Sequence, residues 1–285
     1  MLLPFVTALL ASAAPTATQP PAGSASVLEA DENWIAVPDE TLVYLDVAGK
    51  RVVMQLLPDL APQNVDLISK LLDDGAFDGG TINRVQENYV VQWGEKPDHD
   101  RGDLPDTAPA EFDHERGSGI TTIPFGDSYA PQVGFHGQAY AAQDGERWWP
   151  IHCYGMVGAG RDMAADSATG GELYVVTGQA PRHLDRNITL VGRVIWGMEN
   201  LTSLPRGTGA LGFYETDKEK VPITMRAATS VPLADRIELE TIPTGSSAFA
   251  QWVDARANRA RDGWFLYSHG AIDICNVPIP VREAD

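Results

Sequence analysis

The stretch from Thr41 to Leu57 leaves this chain few ways to fold. Thr41–Val47 (TLVYLDV) is β-branched and aromatic, with Val43, Leu45 and Val47 on one alternating face. Ala48-Gly49-Lys50 makes a tight turn, and Arg51–Leu57 (RVVMQLL) returns, which predicts a β-hairpin. A helix follows, opened by Pro62 at its first position, carrying Val65, Ile68 and Leu72 on one face and stopped at Asp73-Asp74-Gly75. Thr81–Arg84 and Tyr89–Trp93 read as two more short strands. Hairpin, helix, then strands predicts a mainly β chain, an antiparallel sheet with helices packed on its ends. With 27 glycines and 20 prolines in 285 residues, a turn-rich fold is favoured over a helical bundle.

Charge narrows the partners. Lysine and arginine number 21 against 39 aspartates and glutamates, a net charge of −18. So acidic a surface repels phosphate backbones and anionic headgroups, so neither nucleic acid nor a lipid surface is an expected partner. Met1–Ala13 (MLLPFVTALLASA) is a short apolar run ending in Ala11-Ser12-Ala13, the small-x-small pattern of a secretory cleavage site, although no Lys or Arg precedes it. Residues 1–13 are therefore expected to be a signal peptide and residues 14–37 a linker. The protein is expected to be exported, to the periplasm or beyond the cell. No internal apolar run reaches the roughly 18 residues of a membrane span, so no insertion is expected after cleavage. In an oxidising compartment Cys153 and Cys275 could pair, and the alternative is two buried free thiols.

Several blocks then fall in a telling order. Phe77-Asp78-Gly79, Asn83-Arg84-Val85 and Tyr89-Val90-Val91-Gln92-Trp93-Gly94 resemble the cyclophilin pattern F-D-G, H-R-V, F-M-x-Q-G-G. Upstream, Leu60-Ala61-Pro62-Gln63-Asn64-Val65 is similar to that family's A-P-x-x-V-x-N-F helix start. Downstream, Gly171–Val176 stands where the family has S-Q-F-F-I, and His183-Leu184-Asp185 is similar to its x-L-D. Leu190–Val194 with Gly197-Met198 is similar to V-F-G-[KR]-V-x-x-G-M, and Pro222–Ala228 resembles the final strand. One block alone would be weak; their order over residues 38–229 is a strong fold signal.

The resemblance implies a closed eight-stranded antiparallel barrel capped by two helices over residues 38–229; residues 230–285 lie outside it and, being apolar, are expected to form a small C-terminal extension packed on the barrel. The resemblance also implies a peptidyl-prolyl cis-trans isomerase acting on X–Pro bonds of proline-containing polypeptide clients, with no cofactor and no metal. Arg84 matches the family's catalytic arginine, and Gln92 matches the amide that holds substrate backbone and steadies that arginine. Tyr89, Val90, Tyr174 and Leu184 match the apolar positions around the proline ring. Glu172 and His183 also stand at substrate-binding positions, but each departs from the family residue. Glu172 replaces a glutamine and is expected beside Arg84, where its carboxylate would occupy the guanidinium and lower turnover. Val90 replaces a methionine, Ile188 stands where many members have histidine, and Ala159-Gly160-Arg161 replaces M-A-[RN].

Two regions lie outside the pattern. An insertion around 97–150 adds about 30 residues, including Pro97–Pro105, Gly134–Gly137 and Trp148-Trp149-Pro150; an exposed Trp-Trp-Pro loop would be a binding edge, while aromatics in long insertions more often fold back onto the barrel. Asp98-His99-Asp100 and Asp113-His114-Glu115 invite a metal reading, but solvated acidic loops suit this composition better. In the extension, Ser247–Asp262 reads as a helix with Phe249, Trp252 and Val253 on one face. Trp264–Tyr267 and Ala271–Pro280 are apolar enough to be expected against the barrel. Beside the isomerase stand two other readings, a prolyl-peptide binding module without turnover and a scaffold that works through the insertion and extension.

Overall fold

A computed structural model describes residues 24–115, 117, 119–259 and 264–284. The expected signal peptide, residues 1–13, lies outside the described residues, as do residues 14–23 of the expected linker. The chain begins with α1 (Ser24–Glu29) and β1 (Ile35–Ala36), then the hairpin β2 (Leu42–Val47) and β3 (Lys50–Leu56). Next come α2 (Pro62–Asp73), β4 (Thr81–Val85) and β5 (Val90–Gly94). The insertion supplies β6 (His114–Glu115), β7 (Thr121–Thr122), β8 (Gln132–His136), β9 (Ala139–Gln143) and β10 (Arg147–Pro150). Then follow β11 (Met156–Ala159), β12 (Glu172–Val176), β13 (Leu190–Trp196), α3 (Met198–Thr202) and β14 (Val221–Ala227). The extension adds β15 (Leu239–Thr241), α4 (Ser247–Ala257) and β16 (Val281–Glu283).

Eight strands close an antiparallel barrel in the order β11-β12-β5-β4-β14-β2-β3-β13, with β13 pairing back onto β11. The β2–β3 turn takes Ala48 and Gly49 into the left-handed region at φ 50° and 75°. A two-residue turn with both central residues there matches the twist of its strands. Val43, Leu45 and Val47 point into the main core, with Met54, Phe77, Ile82 and Trp93. Helix α2 packs against β14 and buries Val65, Leu67, Ile68, Leu71 and Leu72. Its first amides, Gln63 and Asn64, donate to the Glu111 carboxylate at 3.2 and 3.0 Å, so the insertion satisfies a helix end that would otherwise need water. The short α3 packs against β3 and buries Leu201.

The insertion is a sheet of its own, in the order β6-β10-β9-β8-β7. Trp148 and Trp149 are buried, so Trp148-Trp149-Pro150 is not an exposed edge. The Trp148 ring lies between His114 and His136, with centroids 4.3 and 4.0 Å away. Phe135 of β8 meets Phe249 of α4 edge-on at 4.8 Å, joining insertion to extension.

The extension covers the outside of the barrel. Leu42, Tyr44 and Val53 form a second apolar cluster with Val37, Ala228 and Leu239 on the outer face of β2 and β3. Residues 24–37 of the expected linker are built into the fold: Val27 is buried in the core, α1 packs on α4, and β1 joins β15 and β16 in a three-stranded sheet. The physical reason is pairing, since the exposed edge of β15 finds a partner in β1. Helix α4 ends at Ala257, earlier than the sequence suggests, and residues 260–263 lie outside the described residues. Ile274, Val277 and Ile279 are buried, whereas Trp264, Leu266 and Tyr267 are exposed, contrary to the expectation that Trp264–Tyr267 pack down. Cys153 and Cys275 are disulfide-bonded, with Cα atoms 5.0 Å apart across 122 residues of chain.

Trp252 is 6% exposed and its Nε1 donates to the Pro278 carbonyl at 2.8 Å. Trp252→Ala is expected to lower unfolding free energy by about 3–5 kcal/mol in a urea melt. A loss under about 1 kcal/mol would mean that the extension does not share the barrel's core.

Candidate active site

Three neighbouring barrel strands, β4, β5 and β12, build one outward patch. Strand alternation sends Val91, Trp93, Leu173 and Val175 inward to the core. Val90, Tyr174 and Val176 point the other way and form a separate apolar cluster, flanked by half-buried Tyr89 and Ile188. In register, Arg84 of β4 faces Gln92 of β5, and Gln92 faces Tyr174 of β12. The register shifts between Ile82 and Arg84, so Ile82 stays in the core while Arg84 points out. Such an irregularity re-aims one side chain while keeping the strand paired.

The Arg84 guanidinium is held from several sides. Nε donates to the Leu211 carbonyl at 2.8 Å, Nη1 to Gln92 Oε1 at 3.2 Å, and Nη2 to Gln86 Oε1. The Tyr89 ring lies 5.5 Å from its Cζ and the Phe213 ring 5.0 Å. Burial lowers the guanidinium's pKa from the usual arginine range, without threatening its charge. Phe213 and Leu211 belong to a loop bridged directly to Arg84 and were not among the residues singled out by sequence. Both are exposed apolar side chains in a glycine-rich stretch, a signal too ordinary to stand out.

Glu172 does not occupy Arg84. Its Oε1 accepts from Gln92 Nε2 at 2.7 Å and from Asn83 Nδ2 at 2.9 Å, and no ion pair or hydrogen bond joins it to the guanidinium. The reason is register: Glu172 faces Gly94, and Gln92 stands between it and Arg84. The carboxylate therefore orients the Gln92 amide, nitrogen toward itself and oxygen toward Arg84. Gly94 and Gly160 make room for it, since a Cβ at either would crowd the Glu172 side chain at 2.7 and 2.9 Å.

The remaining candidates fall on the 3-10 turn Arg182–Leu184. His183 is exposed and lies parallel to Tyr89 with ring centroids 6.3 Å apart. Leu184 follows it, half-buried. Cys153 and Cys275 are joined to each other and serve as a covalent tie. The acidic histidine segments have structural partners: Asp113 takes Arg147 at 2.7 Å and Arg186 at 2.8 Å, and His99 faces Asp74 at 3.1 Å. Among the described residues no three His, Cys, Asp or Glu side chains are grouped to hold a metal ion.

Burial pushes the Glu172 carboxyl above the usual glutamate range, helped by the charge of Glu95 and opposed by the hydrogen bonds from Asn83 and Gln92. An acid raised on folding favours the fold most when protonated, and that contribution is lost as pH rises through the folded value. Glu172→Gln, neutral throughout, should therefore gain stability relative to the parent chain between about pH 4 and pH 8. Urea melts at the two pH values read this directly, and a gap that narrows toward high pH contradicts it.

The family model for cyclophilin type peptidyl-prolyl cis-trans isomerase/CLD matches residues 42–229. A probable peptidyl-prolyl cis-trans isomerase of Brucella suis is 27% identical over 177 residues, covering 61% of this chain and 76% of that one. Peptidyl-prolyl cis-trans isomerase B of Bacillus subtilis is 25% identical over 168 residues, covering 59% and 92%. The crystal structure of cyclophilin AquaCyp293 from Hirschia baltica is similar in fold, with a TM-score of 0.70 at 21% identity, covering 91% of this chain and 96% of that one. That last likeness is too long to be confined to the barrel. The chain belongs to the cyclophilin-type peptidyl-prolyl cis-trans isomerases, a family of enzymes.

Proposed function

We propose that this protein isomerises X–Pro bonds in exported, unfolded or extended polypeptides, with Arg84 as the catalytic residue and Gln92 beside it. The observation that carries the reading is Arg84 standing outward next to Gln92, at the rim of the apolar patch of Tyr89, Val90 and Tyr174. The reaction asks little covalent chemistry. Amide resonance sets a barrier of about 18–20 kcal/mol, and twisting the bond leaves the prolyl nitrogen pyramidal with a lone pair. Guanidinium donors that engage that lone pair act only as the bond twists, so they lower the barrier rather than merely tightening binding. Tyr89, Val90, Tyr174 and Leu184 supply the apolar wall for the proline ring, with His183 at its edge. Gln92, its amide turned by Glu172, holds substrate backbone and keeps Arg84 aimed.

Turnover is held down, though not by the pairing expected from sequence. In the free protein the Nε and Nη2 donors of Arg84 are engaged by Leu211 and Gln86, and substrate must displace them. Export is supported by Ala11-Ser12-Ala13 and by the disulfide, a bond suited to an oxidising compartment. No helix among the described residues is long and apolar enough to cross a membrane. Proline-containing polypeptides are the clients, and from the extension Leu239, Trp252, Ile274 and Val277 pack on the rest of the protein.

NMR exchange on a short X–Pro peptide tests the reading. Arg84→Ala should cut kcat/KM by about two to three orders of magnitude, the usual loss of a directed transition-state donor. Exchange that survives Arg84→Ala overturns the mechanism, and peptide binding without exchange in the parent chain would make it a binding module. Gln86→Ala, which frees a donor, should raise kcat/KM by about two- to fivefold. A fall there would show that Gln86 aims the arginine instead of occupying it.

A further inference from the structure

Behind the apolar patch lies a buried polar chain that the isomerase mechanism above does not use. His152 stands just past β10, where the insertion rejoins the barrel, and is completely buried. Its Nε2 meets the Tyr174 hydroxyl at 2.8 Å, and its Nδ1 meets Asp185 Oδ1 at 3.0 Å. The same Asp185 oxygen accepts from the His152 backbone amide at 3.0 Å. Asp185 Oδ2 takes Arg182 Nε at 2.6 Å, and the other guanidinium nitrogens of Arg182 clasp Asp127 at 2.8 and 3.1 Å.

These contacts admit one proton arrangement. Asp185 and Asp127 are carboxylates beside Arg182, so Asp185 accepts and Nδ1 must carry the imidazole proton. Burial lowers the His152 pKa and raises that of Tyr174, which keeps the ring neutral and the phenol protonated. Nε2 is then an acceptor and Tyr174 donates to it. Sequence makes room for this: Gly158 faces Tyr174 across β11 and β12, and a Cβ there would overlap the hydroxyl end of the ring.

The two ends of this polar chain reach the two elements that the proposed function places around the proline ring. Tyr174 belongs to the apolar cluster with Val90 and Val176. Asp185 closes the turn that carries His183 and Leu184, its amide donating to the Arg182 carbonyl at 3.1 Å. We propose that His152 is a positioning residue that ties Tyr174 to the Arg182–Leu184 turn, so that the insertion sets the width of the groove that takes the proline ring. The inference rests on the Arg84 reading of the groove. A preset width means that the peptide need not order these walls on binding, so the tie should be felt in binding rather than in the twisting step.

The full chain is titrated with a short X–Pro peptide, and the same NMR series reads half-saturation from shifts and exchange at saturation. Tyr174→Phe keeps the ring and removes only the donor. It should raise the half-saturating concentration about three- to tenfold, the effect of one buried hydrogen bond, and leave exchange at saturation within about twofold. His152→Leu should do the same, the double variant should be no worse than the worse single one, and His152→Gln, which keeps an acceptor, should stay near the parent chain. Unchanged half-saturation in Tyr174→Phe overturns the proposal, as do additive effects in the double variant. If His152→Leu fails to fold, Tyr174→Phe decides alone. Survival of exchange in Arg84→Ala would sink the isomerase mechanism, whereas the binding shifts read the tie separately.

Discussion

Strand alternation in a closed barrel is the constraint from which the rest follows. Once β13 pairs back onto β11, each strand commits one set of side chains to the interior and the other to the outside. The inner set is the main core, filled by Leu45, Met54, Ile82 and Trp93. The outer set must be either covered or used, because an apolar outer face in water would cost about 25 cal/mol per Å². On β2 and β3 it is covered, by Val37, Ala228 and Leu239 over Leu42, Tyr44 and Val53. On β4, β5 and β12 it forms the cluster of Val90, Tyr174 and Val176, with Arg84 and Gln92 beside it.

That division explains why a barrel with an open groove carries so much added chain. The insertion caps α2 through Glu111, meets α4 through Phe135 and Phe249, and delivers His152 behind Tyr174. The extension covers the opposite side and is tied back through Cys275 to Cys153, the residue next to His152. The Tyr174 side of the barrel is therefore backed by a packed insertion and by a covalently tied extension. In the groove itself the charged groups are spaced by strand register. Gln92 sits between a cation and a carboxylate, so each end of its amide has a partner of the matching kind.

Local sequence signals carried the β2–β3 hairpin, the strands β4 and β5 and the Pro62 helix start, because hairpin turns and period-two alternation are written in neighbouring residues. The ordered blocks from Leu60 to Ala228 carried the resemblance to the family, and through it Arg84, Gln92 and Tyr174 as site residues. The resemblance also named Glu172 as a residue of the site, but not what it touches. That depends on which residue of β5 faces it, and pairing between strands separated by about 80 residues is decided only when the barrel closes. Tertiary structure alone decided that residues 24–37 are built in, since a two-residue strand exists only where β15 offers an edge. It alone buried Trp148 and Trp149, exposed Trp264 and Leu266, and brought Phe213 over Arg84. It also placed His152 against Tyr174 and Asp185: a lone histidine has no periodicity to betray it, and its role comes from groups 22 and 33 residues away along the chain.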